Sequence, residues 1–237
     1  MHGSHMRSHV LERGYWSRSK FDLSLSVFFK IIIMKTLVLD FETSGLNPYH
    51  SDVIEIGAKV IETGETFSSL IRPKSEMPIS DKISQITGIT NRELRRYCRD
   101  RGWTRGCWYD GFAEFYYWLL DHTEEEVAIV SHNGTTFDFI ILKQLMKSLR
   151  EGGCDTSPWE HKDIYYIDTL LLARRLLINQ EYFKQTTLCK RFGIRVLVAH
   201  RALADVESLE MLYQKLLSLM KGTRHPLDII DYINLKD

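Results

Sequence analysis

The chain has 237 residues, with 31 Lys plus Arg balanced by 31 Asp plus Glu. Zero net charge excludes a basic chain that coats nucleic acid by bulk electrostatics, so any phosphate contact needs a local patch or bound metal. With 44% hydrophobic and 26% charged residues, the composition is that of a globular protein long enough to bury a core without staples.

Met1 to Met6 (MHGSHM) resembles the remnant of an expression tag and is set aside from fold reasoning. The stretch from Arg7 to Lys30 shows no amphipathic period. Val27 to Met34 is an apolar run broken by Lys30, too short to span a membrane and without a signal-peptide cleavage pattern. Residues 1–33 therefore read as a non-native or peripheral extension with Met34 as the native start. An extra edge strand at Val27 to Ile33 is the alternative. Thr36 to Phe41, Val53 to Ile61 and Thr66 to Ile71 are rich in β-formers. Their short connections predict an antiparallel meander. Short helical pieces follow around Ser80 to Gln85 and Asn91 to Tyr97. Residues 98–111 carry no clear period. A helix is expected from Gly111 to Leu120, a buried strand from Val127 to Ser131 and a helix from Thr135 to Leu149. Tyr165 to Ile167 reads as a strand and Thr169 to Leu177 as a helix. Thr186 can cap a short helix ending at Gly193, and a long final helix runs through Leu203 and Leu216 to near Gly222. Strands first, then strands alternating with helices, predict an α/β domain on a mixed sheet.

Cys98, Cys107, Cys154 and Cys189 form no C-x-x-C pair, so neither a zinc site nor a disulfide framework is expected. They read as reduced thiols of an intracellular protein (cytoplasm, nucleoid or nucleus). The minor alternative joins Cys98 and Cys107 with nearby histidines in a metal site.

The chemistry concentrates in three short segments. Asp40-Phe41-Glu42 ends the first strand, and alternation puts both carboxylates on one face. They repel unless a proton or cation intervenes, and hard cations such as Mg²⁺ suit an all-oxygen site. Alone the pair is weak, since D-x-E arises by chance about once in 300 positions. Asp205-Val206-Glu207 is a second instance, on a helix where the two carboxylates diverge. In Ser131 to Asp138 (SHNGTTFD) a strand turns through Gly134 into a helix with Asp138 in its first turn. The helix dipole favours a carboxylate there, and such corners are also where α/β sheets place ligands. In His200 to Asp205 (HRALAD), positions five apart diverge on one helix, so His200 can join Asp205 only from the preceding loop. Beside carboxylates it could serve as a base.

The order D-x-E-T, H-N-x-x-x-F-D and H-x-x-x-x-D resembles the DEDDh branch of the DnaQ-like 3′→5′ exonucleases, in the ribonuclease H-like superfamily. Val53 to Val60 (VIEIGAKV), Ile83 to Thr90 (ISQITGIT) and Ile167-Asp168-Thr169 are similar to further family signatures. The resemblance covers about residues 35–220. It implies a five-stranded mixed sheet flanked by helices, with an exonuclease domain at 34–221 and a C-terminal tail at 222–237. It implies Asp40, Glu42, Asp138 and Asp205 as ligands of two Mg²⁺ ions (Mn²⁺ substituting), and His200 as general base. Thr43, Leu46, Asn133 and His200 match positions near the substrate, and Asp168 matches a recurrent acid given a structural role here. The implied reaction releases nucleoside 5′-monophosphates from 3′ ends by a two-metal mechanism.

Single-stranded nucleic acid or 3′ ends are the expected partners, DNA ahead of RNA, with a polymerase or replication partner and no membrane. An exoribonuclease is the alternative within the superfamily. A non-catalytic nucleic-acid-binding or polymerase-associated module is the alternative of another class. Arg92, Arg95, Arg96, Arg99, Arg101 and Arg105, with Trp103 and Trp108, suit phosphate contact and stacking, or equally a solvated charged face.

Overall fold

A computed structural model describes residues 34–75, 77–103, 106–196 and 200–221. The expected tag, the extension with its alternative edge strand, Arg105, Gly222 and the tail lie outside the described residues.

The sheet is mixed and five-stranded, in the order β3-β2-β1-β4-β5. β1 (Lys35–Thr43), β2 (Val53–Val60) and β3 (Thr66–Leu70) form the expected antiparallel meander. β4 (Glu126–Ser131) and β5 (Asp163–Asp168) extend it in parallel beyond β1. Helix α1 (Asp81–Thr87) is capped by Ser80 and α2 (Asn91–Asp100) by Thr90, whose hydroxyls accept the Ile83 and Glu93 N–H groups. The remaining helices are α3 (Cys107–His122), α4 (Asp138–Glu151), α5 (Ser157–Glu160), α6 (Thr169–Leu176), α7 (Gln185–Arg191) and α8 (Ala202–Lys221). Among the described residues, no helix is long and apolar enough to cross a membrane.

Strand alternation sorts the core into two layers. Leu37, Leu39 and Phe41 of β1 pack with Phe115 and Leu119 of α3 and with Leu142 and Leu145 of α4. Val38, on the other face, joins Leu172 of α6, Leu188 of α7, and Val206 and Leu209 of α8. Asp40 and Glu42 continue the Val38 face, so β1 delivers both carboxylates toward α8. β2 supplies the seat for that helix. Its Glu55, Gly57 and Lys59 share a face, and Lys59 pairs with Glu210 of α8 at 2.6 Å. A Cβ at Gly57 would come within 2.4 Å of the Ala202 carbonyl carbon. Only glycine lets the start of α8 lie directly on the strand.

Several local expectations need correction. Cys98 and Cys107 are bonded to each other, with Cα atoms 5.5 Å apart, so neither is a reduced thiol or a metal ligand. Cys154 and Cys189 are free. The bond ties the end of α2 to the start of α3, which begins at Cys107 rather than Gly111. Trp103 and Trp108 are used in packing: Trp103 meets Tyr97 edge-on at 6.0 Å, and Trp108 meets Tyr109 edge-on at 5.6 Å. Arg101 lies over the Tyr97 and Trp103 rings and pairs with Glu114, while the other described arginines lie exposed on α2. The expected helix from Thr135 is split into a 3-10 turn, Gly134–Thr136, and α4. Phe139 packs against Gly134 at that break. Thr186 lies inside α7; Lys184 occupies the capping position with no side-chain hydrogen bond. Gln185 instead reaches across to the Asp205 carbonyl at 2.8 Å and the Ser208 hydroxyl at 3.0 Å, and this tertiary contact sets the start of α7.

Candidate active site

One cleft of about 740 Å³ is lined by Asp40, Glu42, Asn133, Asp138, His200 and Asp205. These residues come from β1, the β4–α4 corner and the start of α8. Of the expected site residues, Thr43 and Leu46 do not line it. A bulge between Glu42 and Thr43 breaks the β1–β2 register, and the buried Thr43 hydroxyl donates to the Gly45 carbonyl at 2.5 Å. Leu46 is 89% exposed on the turn beyond.

Two corners aim side chains into the cleft through backbone that few residues adopt. Asn133 and His200 have φ of 66° and 62°, the described non-glycine residues with left-handed backbone. Asp168 holds the first corner by accepting the Asn133 and Thr135 N–H groups, both at 3.0 Å, and caps α6 through Leu170 N–H at 2.9 Å. That is the structural role expected of it. The second corner is held by Asp205, which accepts the His200 N–H at 2.7 Å. His200 thus stands on the loop before α8, as joint action with Asp205 requires.

Beneath this corner lies Glu55, only 2% exposed. It accepts from Arg201 Nε and Nη2, along one edge of the guanidinium, at 2.8 to 3.2 Å and accepts the Ala202 N–H at 2.9 Å. A charged fork and a helix-terminal N–H therefore fix the start of α8 against β2. Glu55 stands opposite Glu42 in the sheet register.

Asp138 is buried, with Oδ1 accepting Phe41 N–H at 3.1 Å and Oδ2 accepting the Ser131 hydroxyl at 2.6 Å. Each oxygen keeps a further lone pair. Glu42, His200 and Asp205 each offer a ligand atom within 4.8 Å of the others. The electrostatics are those of a site suited to cations. Burial, then Asp138, Glu42, Asp205 and Glu55, hold the Asp40 carboxyl well above its ordinary range. Burial and the same kind of crowding push Glu42 up to about 8, opposed by Arg201. Burial lifts Asp138 to about 6 against the Ser131 and Phe41 hydrogen bonds, and raises Asp205 against the His200 N–H. A hard oxygen set with one imidazole, already straining to discharge itself, fits Mg²⁺ or Mn²⁺.

This has a measurable consequence for stability. Each of these acids has a higher pKa folded than unfolded, so the folded chain binds more protons and loses stability as pH rises. For Glu42 the loss accumulates between about 4.5 and about 8. In EDTA the melting temperature should fall across that window. Millimolar Mg²⁺ or Mn²⁺ should raise it and flatten the slope. Equal melting curves with and without metal would contradict the site.

Comparison with known proteins bears on the family and the fold. The RNase T family model, described as "Exonuclease", matches residues 37–105. The PolC-type DNA polymerase III of Thermotoga maritima is 34% identical over 211 residues, 84% of this chain and 14% of that one. The PolC-type polymerase of Bacillus subtilis is 30% identical over 184 residues, 76% of this chain and 11% of that one. A structure of exonuclease I superposes with a TM-score of 0.61 at 20% identity, covering 85% of this chain and 46% of the other. A complex of E. coli exonuclease I with a dA16 oligonucleotide gives 0.59 at 22% identity, covering 82% and 42%. The match to this exonuclease family, which is DnaQ-like, falls on residues 37–105, the part of the chain that carries Asp40 and Glu42. The chain's sheet and flanking helices are the ribonuclease H-like fold of exonuclease I. The chain spans only about a seventh of the polymerases' length.

The site also holds residues without a recognisable signal in the sequence. Glu55 was visible only as one glutamate in an otherwise apolar strand, VIEIGAKV. Arg201 lies within H-R-A-L-A-D, where the spacing marks only His200 and Asp205. His132 preceded Asn133 in its motif, and its ring bridges the Thr169 hydroxyl at 2.9 Å and the Phe183 carbonyl at 2.8 Å.

Proposed function

We propose that the chain is a metal-dependent 3′→5′ exonuclease that hydrolyses phosphodiester bonds at DNA 3′ ends and releases nucleoside 5′-monophosphates. The observation that carries this reading is the meeting of Asp40, Glu42, Asp138, His200 and Asp205 in one cleft. Kinship with DNA polymerases supports DNA as substrate, a DNA proofreading or repair context and an intracellular setting. Five intact chemical side chains argue against a purely binding module.

Asp40, Glu42, Asp138 and Asp205 would hold two divalent cations. Such a pair supplies charge stabilisation to the attacking and leaving oxygens of an in-line displacement. The protein's own part is orientation and proton transfer. Asp138 is fixed by Ser131 and Phe41, and Asp205 by the His200 backbone. The His200 ring lines the cleft beside Glu42 and Asp205, where it would accept a proton from the attacking water. Asn133 lines the same cleft, and exposed Leu46 offers an apolar edge to the terminal base. Thr43 serves the substrate through the turn it braces.

The test is digestion of 3′-labelled single-stranded DNA and RNA side by side in Mg²⁺. Label should leave DNA first as a nucleoside 5′-monophosphate and leave RNA more slowly. Release of internal fragments, or faster loss from RNA, would overturn the reading as stated. His200→Ala should slow the DNA reaction by about 10²- to 10⁴-fold, the range for a lost general base. A variant of wild-type rate would remove His200 from that role.

A further inference from the structure

The cleft has lining that the hydrolytic chemistry leaves unused. Arg174 of α6 and Tyr182, Phe183 and Lys184 of the α6–α7 segment all border it. Tyr182 is 63% exposed, and Arg174 and Lys184 are exposed. Among the described residues neither cation is paired with a carboxylate. This holds although five acids line the cleft, among them exposed Glu181 beside Tyr182.

The segment is nevertheless anchored. Phe183 packs into the layer beneath α6 and α8, its carbonyl takes a hydrogen bond from His132, and Arg174 lies over its ring at 5.9 Å. Two cations and a phenol are thus presented to the cleft from a fixed backbone. A strand whose 3′ end sits among the carboxylates still carries one phosphate per nucleotide beyond the scissile bond. These need positive partners, and unpaired bases need a flat apolar face.

Resting on the exonuclease reading, we infer that Arg174, Tyr182 and Lys184 form the strand-gripping wall of the cleft. Arg174 and Lys184 take backbone phosphates upstream of the scissile bond, and Tyr182 stacks on a base. Stacking requires an unpaired base and tolerates any sequence, so the wall selects single-stranded ends without a base code. The exposed arginines of α2 are not part of it.

The experiment is fluorescence anisotropy of the whole chain in Mg²⁺ with a labelled oligothymidylate of about 10 nucleotides, its 3′ end protected by phosphorothioates. Arg174→Ala and Lys184→Ala should each weaken binding about 5- to 10-fold and reduce the salt slope by about 0.7. Tyr182→Ala should weaken it about 10-fold with the slope unchanged, and Tyr182→Phe should restore it. In cleavage of the unprotected strand the same alanine variants should raise KM more than they lower kcat. Arg95→Ala and Arg96→Ala should bind as wild type. All these side chains are exposed, so melting temperatures should stay put. Wild-type affinity and slope in the Arg174 and Lys184 variants, with cleavage intact, would overturn the wall. Losses confined to the α2 variants would do the same. A wild-type chain that leaves unprotected DNA intact would instead overturn the exonuclease reading beneath it.

Discussion

Replacing Asp40 with alanine is expected to slow 3′-end cleavage by about 10³-fold or more while making the metal-free protein more stable. The first effect follows from losing a carboxylate that helps hold the catalytic charge, worth several kcal/mol in the transition state. The second follows from the crowding itself. Asp40 is raised by burial and by repulsion from Asp138, Glu42, Asp205 and Glu55, so its removal relieves an unfavourable cluster. Opposite signs for activity and stability mark a functional site that the fold tolerates rather than benefits from. Single-turnover rates in Mg²⁺ and melting curves in EDTA read the two effects separately. A variant that loses both activity and stability would mean that Asp40 is chiefly structural.

The second large effect belongs to Arg201. Arg201→Ala leaves Glu55 buried at 2% exposure with only the Ala202 N–H to face it. Breaking such a pair should cost about 3 kcal/mol, the low end for buried pairs because Arg201 is itself 39% exposed. It also loosens the corner carrying His200 and Asp205, and misplacement of that kind costs about 10²-fold in rate. Arg201→Lys should recover little, because a point charge cannot reproduce the two-pronged contact with the Glu55 carboxylate. Urea titration gives the stability, and kcat at saturating substrate gives the alignment. Native values of both in Arg201→Ala would show that α8 is seated without the fork.

The parts of the site legible in the sequence are those fixed by local geometry. Alternation along a strand put Asp40 and Glu42 together, and a Gly-containing turn into a helix placed Asp138. The need for His200 to precede the helix also followed from helical angles alone. What escaped depends on distant residues. Glu55 and Arg201 are 146 positions apart and meet only because β2 and α8 stack across Gly57. The Cys98–Cys107 bond has no motif, because its nine-residue separation says nothing of the turn that closes it. The start of α7 followed Gln185 contacts with α8 rather than the capping preference of Thr186. Arg174, Tyr182 and Lys184 have no shared sequence signal; α6 carries Arg174 to the cleft, and the anchoring of Phe183 by His132 holds Tyr182 and Lys184 there.

The proposed activity is metal-dependent removal of nucleotides from 3′ ends by five side chains in one cleft. The most direct measurement follows 5′-labelled single-stranded DNA over time with the wild-type chain and Asp40→Ala, each in Mg²⁺ and in EDTA. The wild type should give a ladder shortening from the 3′ end in Mg²⁺ alone. Shortening that persists in EDTA, or that proceeds equally in Asp40→Ala, would contradict it.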